Sequence, residues 1–267
     1  THIFHAGGVL ARESADKFST PERHRYVLGS LGPGTKLPSL GHTTYEKLKD
    51  AYYLAAKGLV DAQTDGLLIE TTQDLLQAKA AVNGARVAIE ESGRDVVLIA
   101  QVTVETTGTM LLGSEIGAAL NALEPLGIDL IGLNCATGPA EMSEHLRYLS
   151  KAAHCGISVM PNAGLPILGV NGAHYPLSPQ ELATALKTFV QDYGVSLVGG
   201  CCGTTQEHLR EVVIALGDTK YKKRTPEIEP GASSLYQYVP FRQDLTYLAM
   251  GERTNANGSK QFRDLLL

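Results

Sequence analysis

The sequence predicts an α/β fold, a (β/α)8 barrel of the TIM type that is truncated at its amino-terminal end. Continuously apolar segments alternate with amphipathic segments through residue 216, which is typical of a parallel sheet covered by helices. No Gly-x-Gly-x-x-Gly or Walker-type loop follows an apolar segment, so a nucleotide-binding open sheet loses support. Polar residues instead follow the apolar segments, as they do on the carboxyl-end face of a barrel.

The elements follow in a regular order. Residues 8–18 suit the end of an amphipathic helix, which Ser19 and Pro21 stop. Residues 25–30 read as the first strand, and residues 44–62 as a helix capped by Thr43 or Thr44. The remaining strands are predicted at 67–71, 96–104, 129–135, 157–162 and 195–200. The helices that follow them are predicted at 74–91, 114–126, 139–153, 179–193 and 206–216.

This count gives about six strand–helix units, whereas a closed barrel of this type has eight. The residues before the first predicted strand resemble the tail of a helix whose own strand is absent. We therefore expect two strands and most of two helices to be missing at the amino-terminal side. Residues 1–217 form the predicted barrel.

Composition limits the class of protein. The chain has 267 residues, of which 43% are hydrophobic and 19% charged, which is ordinary for a globular protein. A net charge of −5 gives no reason to expect a nucleic-acid partner. No apolar run reaches the length of a membrane span, so no membrane partner is expected. Four cysteines are too few for a disulfide framework, and reduced thiols favour a cytoplasmic protein.

Three cysteines stand at predicted strand ends. Cys201 and Cys202 are adjacent between glycines, and Cys135 ends an earlier apolar run. Neighbouring side chains of a straight strand point to opposite faces, but flanking glycines allow a turn that aims both sulfurs at one point. Three thiolates with one open position describe a zinc ion that holds and activates a substrate.

Other interpretations of the cysteines stay open. Free cysteine is among the most buried residue types, so all of them could be small core residues. A disulfide is a further alternative. The remaining thiol, Cys155, follows a predicted helix and is interpreted as structural. No histidine falls on a strand end, so none is assigned to zinc; His154 and His208 are expected at the surface.

The character of the chain changes after residue 217. A basic run from Lys220 to Arg224, interpreted as solvated surface, precedes several prolines, glycines and serines, so residues 218–245 are predicted to be an interdomain linker. Residues 246–267 are predicted to hold the first strand and the start of the first helix of a second domain, with Ser259 as the helix cap. The chain is expected to end inside that helix.

Four motifs resemble the homocysteine-binding domain of the S-methyltransferases. They are Leu68-Ile69-Glu70-Thr71, Asn134-Cys135, Pro161-Asn162-Ala163-Gly164-Leu165-Pro166 and Gly199-Gly200-Cys201-Cys202-Gly203-Thr204. The tail Gly251-Glu252-Arg253-Thr254-Asn255 is similar to the opening strand of a pterin-binding barrel. A homocysteine domain followed by a pterin domain is the order of the cobalamin-dependent methionine synthases.

The resemblance implies a function and site residues. Homocysteine would be activated on zinc held by Cys135, Cys201 and Cys202, for attack on the methyl group of methylcobalamin. Methylcobalamin and methyltetrahydrofolate would be bound by domains outside this chain, so a cobalamin-binding module is the expected partner. The resemblance also implies that Glu70 receives the amino group of homocysteine and that Asn134 and Asn162 form walls of its pocket. In the tail, Glu252, Arg253 and Asn255 would contact the folate.

Alternatives remain for these roles and for the whole chain. Glu70 could instead form a structural salt bridge, and Asn134 and Asn162 could satisfy loop backbone groups. The chain could be a methyltransferase that takes its methyl group directly from betaine or S-methylmethionine. It could also be a structural zinc protein without catalysis, or a fragment without activity.

Overall fold

The computed structural model describes residues 1–170, 172–242 and 256–266. Within these ranges the main sheet has six strands: β1 (Leu28–Leu31), β2 (Gly66–Thr72), β3 (Val97–Val102), β4 (Leu130–Asn134), β5 (Gly156–Met160) and β8 (Leu197–Val198). Short strands form two hairpins: β6 (Ile167–Gly169) with β7 (Gly172–His174), and β9 (Gly231–Ser233) with β10 (Tyr238–Pro240). The helices are α1 (His2–Phe18), α2 (Tyr45–Asp61), α3 (Leu75–Ser92), α4 (Ile116–Leu123), α5 (Pro139–Ala152), α6 (Pro179–Tyr193), α7 (Gln206–Leu216) and α8 (Lys260–Leu266).

The main sheet is parallel throughout, in the order β1-β2-β3-β4-β5-β8. A helix follows each of these strands before the next strand of the sheet. The predicted alternation of strands and helices is therefore confirmed, and the sheet forms the wall of a half-barrel. All carboxyl ends of the parallel strands lie at one edge, where the candidate site is found.

The two faces of the sheet carry different residues. Side chains alternate along a strand, so one set packs against the helices and the next set faces the opposite side. The helix-facing set is aliphatic and joins the main core, as with Ile131 and Leu133 of β4. Its neighbours Gly132 and Asn134 face the barrel interior, together with Ser158 of β5. The interior is therefore polar toward the carboxyl ends of the strands.

Helix α1 begins at His2, so residues 8–18 form its carboxyl-terminal part, as predicted. It ends at Ser19 as expected, and Gly8 is buried where the helix packs against α2. Arg12 ties α1 to the sheet, since its guanidinium lies 2.7 Å from a carboxylate oxygen of Asp65. The same oxygen accepts a hydrogen bond from the Val27 N–H at 2.6 Å. This carboxylate joins α1 to the approach to β1.

The two outermost strands of the sheet are shorter than predicted. β1 pairs only over Leu28–Leu31, and β8 only over Leu197–Val198. Each has a neighbour on one side only within the described sheet, so fewer ladder bonds define it. The backbone after β8 still follows β5 and the residues beyond it, because Gly199 N–H donates to Val159 O at 3.0 Å and Cys201 N–H to Pro161 O at 2.8 Å.

The sequence did not predict either hairpin. The β9–β10 hairpin lies within residues 218–245 and packs on α4. Its Tyr236 carbonyl accepts from Glu115 N–H at 2.8 Å, and Ser233 Oγ accepts from the Asn121 amide at 2.8 Å. Three-residue strands are too short to carry a detectable alternation. The strand predicted at 245–251 lies outside the described residues.

Helix α8 begins at Lys260, and Ser259 Oγ accepts from Phe262 N–H at 3.2 Å, which confirms the predicted cap. None of the helices in the described part of the chain is both long and apolar enough to cross a membrane.

Candidate metal centre

Cys135 follows β4 in an unusual backbone conformation. Its φ is +61°, and that of the next residue, Ala136, is +59°. Left-handed angles are uncommon for residues with a side chain, and they cluster at functional sites. The bend is held by hydrogen bonds, since Cys135 N–H donates to Met160 O at 3.2 Å and Thr137 N–H to Cys135 O at 2.7 Å. The strand direction therefore changes at the residue that carries the sulfur.

The vicinal cysteines lie in the loop between β8 and α7. Ala163 N–H donates to Cys202 O at 2.9 Å, and Cys202 N–H donates to the Asn162 side-chain oxygen at 3.1 Å. The flanking glycines act in two ways. Gly203 has φ +78°, the left-handed conformation that glycine adopts without strain. Gly200 allows a close approach, because a Cβ there would overlap the Thr204 side chain.

The structure brings the three predicted sulfurs together. Cys135 Sγ and Cys202 Sγ are 3.7 Å apart, and the Sγ atoms of Cys135, Cys201 and Cys202 all lie within 4.8 Å of one another. Two sulfurs about 2.3 Å from one tetrahedral zinc ion would be about 3.8 Å apart. The donor set and its spacing therefore fit zinc with three protein ligands. All four cysteines are free thiols, so the disulfide alternative is not what the structure contains.

The pKa values of Cys135 and Cys201 are shifted in opposite directions. The Cys201 thiol hydrogen-bonds to the Cys135 sulfur, which lowers the pKa of Cys135 to about 5 despite its partial burial. The same bond, with burial, raises the pKa of Cys201 above its ordinary value. The Asn134 amide lies 3.9 Å from Cys201 Sγ. One thiolate is thus stabilised by its neighbours, and a thiolate is the form that binds a metal.

Cys155 differs from these three. It lies after α5 and packs partly buried against the main core. Burial raises the pKa of its thiol to about 12, and the nearby charge of Glu124 adds to the effect. A thiol in this environment is inert at neutral pH.

Glu70 stands at the carboxyl end of β2, half-buried. Its carboxylate accepts a hydrogen bond from Ser30 Oγ at the end of the neighbouring strand β1. Strands β2 and β4 are separated by β3, yet the Asn134 side chain of β4 reaches Thr71, the residue after Glu70, at 2.7 Å. Glu70 therefore lies at the same edge of the sheet as Cys135, the residue after Asn134.

The two asparagines are engaged with loop backbone. Asn134 is fully buried, and its carboxamide bonds both the N–H and the hydroxyl of Thr71. Asn162 is 3% exposed and accepts from Cys202 N–H. Both side chains therefore hold loops that carry predicted site residues.

Below this edge the barrel interior holds one further polar pair. Gln101 Nε2 donates to Ser158 Oγ at 3.1 Å, and both residues are fully buried. Gly132 lies between their strands, where a Cβ would overlap Ser158. Gln101 Oε1 has no hydrogen-bond partner among the described residues. The interior glycine is required by close packing.

Two residues in this part of the structure were not assigned to the site from the sequence. Tyr175 follows β7 and lies against Gly203 and Cys202. His208 was expected at the surface, and this was wrong, since it is only 7% exposed. Its ring nitrogens contact Thr205 and the Leu177 carbonyl. The one available signal was the Thr205-to-His208 spacing, which is that of a helix capping box.

The remaining predicted site residues are Glu252, Arg253 and Asn255. They lie outside the described residues.

Comparison with known sequences gives consistent matches. Residues 1–216 match the homocysteine S-methyltransferase family. A methionine synthase of Mycobacterium tuberculosis is 61% identical over 261 residues, which are 98% of this chain and 22% of the relative. A methionine synthase of Mycobacterium leprae is 60% identical over 266 residues, again 98% of this chain and 22% of the relative. The chain thus spans about a fifth of the length of these relatives.

Solved structures share the fold at low sequence identity. The apo form of the homocysteine methyltransferase MmuM from Escherichia coli has a TM-score of 0.63 at 20% identity, covering 79% of this chain and 73% of that one. Its metallated form has a TM-score of 0.59 at 19% identity, covering 78% and 68%. These likenesses establish the α/β barrel architecture of the described chain.

Proposed function

The chain belongs to the homocysteine S-methyltransferase family, and we propose from this membership that it is the homocysteine-activating module of a methionine synthase. The observation that carries the proposal is the convergence of three thiols at the carboxyl edge of the sheet. High identity to two methionine synthases over nearly the whole chain supports it.

We assign Cys135, Cys201 and Cys202 as the ligands of one zinc ion, with a fourth position for the substrate. Zinc bound there would keep the substrate thiol as a thiolate near neutral pH, where a free thiol with a pKa of about 8.5 is mostly protonated. The chain supplies an ordered thiolate at Cys135, whose pKa is held near 5 by the Cys201 thiol. It also supplies backbone bonds that fix the loop of Cys201 and Cys202.

Glu70 is proposed to receive the amino group of homocysteine. Its carboxylate lies at the same edge as the thiols, and one of its oxygens is oriented by Ser30. Asn134 and Asn162 are proposed as walls of the homocysteine pocket, next to Thr71 and Cys202 respectively. A carboxylate and a metal at opposite ends of the substrate would align its sulfur by two separate contacts.

The methyl donor is proposed to be methylcobalamin, with methyltetrahydrofolate as its source, both bound by other parts of a longer protein. The length of the two methionine synthases relative to this chain supports this assignment. We divide the chain into a homocysteine barrel at 1–217, a linker at 218–245 and the start of a pterin-binding domain at 246–267. Glu252, Arg253 and Asn255 would then contact the folate, and a cobalamin-binding module would be the partner.

Two alternatives make different demands on the same site. A methyltransferase that uses betaine or S-methylmethionine directly would need the same thiols and no cobalamin module. A structural zinc protein would close the metal with four protein ligands. The clustering of three thiols without a fourth Cys, His or acidic group among the described residues favours an open position. The free thiols suit a reducing compartment, so we place the protein in the cytoplasm.

Zinc analysis of the purified chain tests the ligand assignment. We expect one zinc per wild-type chain, a large loss of zinc in Cys202→Ala, and unchanged zinc in Cys155→Ala, the matched thiol outside the cluster. Unchanged stoichiometric zinc in Cys202→Ala would overturn the assignment.

Assays with separate methyl donors test the reaction. The metal-loaded chain should transfer a methyl group from methylcobalamin to homocysteine. Turnover with betaine or S-methylmethionine in its place would favour the direct-transfer enzyme. Stoichiometric zinc without homocysteine binding would favour a structural role.

A further inference from the structure

The β6–β7 hairpin ends on a residue that lies against the proposed metal ligands. Tyr175 follows β7 directly. A Cβ on Gly203 would overlap the Tyr175 side chain, so the ring occupies the space that this glycine leaves free. Cys202 precedes Gly203 and is the exposed member of the three thiols. Gly203 therefore leaves room for the Tyr175 ring and also permits the left-handed turn after Cys202.

Two backbone hydrogen bonds hold the segment from Tyr175 to Leu177 in place. Leu177 N–H donates to Ala163 O at 2.9 Å, and Ala163 N–H donates to Cys202 O at 2.9 Å. The backbone two residues beyond Tyr175 is thus tied through one residue to the backbone of Cys202. The position of the tyrosine relative to the sulfur is determined by these bonds on one side and by Gly203 on the other.

His208 of α7 closes the arrangement. Its Nε2 lies 2.9 Å from the Leu177 carbonyl, which can only accept, so Nε2 carries the proton. Its Nδ1 then accepts from Thr205 N–H at 3.2 Å and lies 2.9 Å from Thr205 Oγ1. In this tautomer the buried imidazole links the segment from Tyr175 to Leu177 with Thr205, the residue that caps α7.

We propose that Tyr175 is a positioning residue for the metal centre, whose hydroxyl donates a hydrogen bond to the Cys202 sulfur and whose ring covers it. The proposal rests on the zinc site proposed above. A tyrosine phenol has an ordinary pKa of about 10, so it is protonated at neutral pH and can donate a hydrogen bond. A hydrogen bond to a ligating thiolate withdraws charge from the sulfur and orients it, and loss of such a partner typically costs 10–100-fold in metal affinity.

The hydroxyl can be removed alone by Tyr175→Phe. Tyr193→Phe is the matched control, because the Tyr193 hydroxyl contacts Ser143 at 3.1 Å and lies on α6. Both variants are prepared as the full chain, and Co²⁺ replaces zinc as a spectroscopic probe. Circular dichroism of the metal-free proteins checks that each variant folds.

We expect the sulfur-to-cobalt charge-transfer band of Tyr175→Phe to shift to longer wavelength, since a sulfur without the hydrogen bond gives up charge more readily. Zinc loss to a chelator should be roughly 10-fold faster or more, and Tyr193→Phe should match the wild type in both. A purely structural tyrosine would leave the band where it is. His208→Gln, whose amide can still donate to the Leu177 carbonyl, should shift the band less than His208→Ala.

The outcomes separate the two proposals. A wild-type chain with no thiolate–cobalt band overturns the metal site and the role of Tyr175 together. A wild-type band that Tyr175→Phe leaves unchanged, with unchanged chelator kinetics, overturns the role of Tyr175 and leaves the metal site standing.

Discussion

The Asn134 carboxamide bridges two strands by bonding Thr71 twice. Its Oδ1 accepts from Thr71 N–H at 2.7 Å, and its Nδ2 donates to Thr71 Oγ1 at 2.8 Å. Thr71 has φ +58°, a conformation that costs free energy for a β-branched residue. The buried amide therefore holds a strained residue in place directly after Glu70. The backbone next to Glu70, the proposed contact of the homocysteine amino group, is thus held by the Asn134 side chain from β4.

Removing this bridge should destabilise the protein. Asn134→Ala leaves the part-buried Thr71 N–H without its partner, and we expect the free energy of unfolding to fall by roughly 1–3 kcal/mol. Urea unfolding measures the change. Asn121→Ala is the control, because its amide bonds Ser233 at a partly buried surface contact. Equal stability of Asn134→Ala and the wild type would show that the bridge is not needed to hold Thr71.

Glu70→Gln should weaken homocysteine binding while the zinc content stays the same. The neutral amide loses the charge-assisted contact to the substrate ammonium, which corresponds to roughly 10–100-fold in affinity. Calorimetric titration of the zinc-loaded protein measures it. Glu91→Gln, at an exposed carboxylate bonded to Tyr53, should leave the affinity unchanged. If Glu70→Gln bound homocysteine with wild-type affinity, the proposed contact between Glu70 and the substrate would be wrong.

Thiol reactivity in the metal-free protein should depend on pH in a residue-specific way. With a pKa of about 5, Cys135 is mostly thiolate at pH 6, whereas an ordinary thiol is not. Iodoacetamide at pH 6 should therefore label Cys135 first, and the rate should fall as the pH drops through 5. Cys155, whose pKa is raised to about 12, should stay unlabelled through neutral pH.

Peptide mapping by mass spectrometry identifies the labelled thiol, and added zinc should protect Cys135. Labelling at pH 6 that favours Cys155, or no labelling of any thiol, would contradict the charge distribution described for the cluster.

Two adjacent glycines of α1 should respond in opposite directions to the same substitution. Gly7 is exposed with open space around its Cα, so Gly7→Ala should stabilise the helix by about 1 kcal/mol. Gly8 is buried against α2, where a Cβ would lie 2.6 Å from Ala62 Cβ. Gly8→Ala should therefore destabilise by about 1–3 kcal/mol. Thermal unfolding of the two variants measures these changes. Stabilisation by both substitutions would contradict the packing of α1 against α2 described here.

Local signals explain which elements were predictable. Helix α6 is bounded as predicted, because Ser178 with Glu181 forms a capping box at one end and Gly194 ends the other in a left-handed conformation. The β6–β7 hairpin was missed, because its three-residue strands are exposed and lack a periodic pattern. The position of Tyr175 after this hairpin depends on contacts of Tyr175 with Gly203 and of Leu177 with Ala163, and no pattern within the hairpin indicates those contacts.

The order of strands and helices, and the convergence of Cys135 with the vicinal pair, followed from the sequence by itself. The reason is that hydrophobic periodicity marks parallel strands, and parallel strands end at one edge. The tertiary structure alone decided the left-handed turn at Cys135, the lowered pKa of Cys135 beside Cys201, the burial of His208 and the packing of Tyr175 against Gly203. These features arise where segments remote in the chain meet, and such contacts leave no periodic trace in the residues on either side.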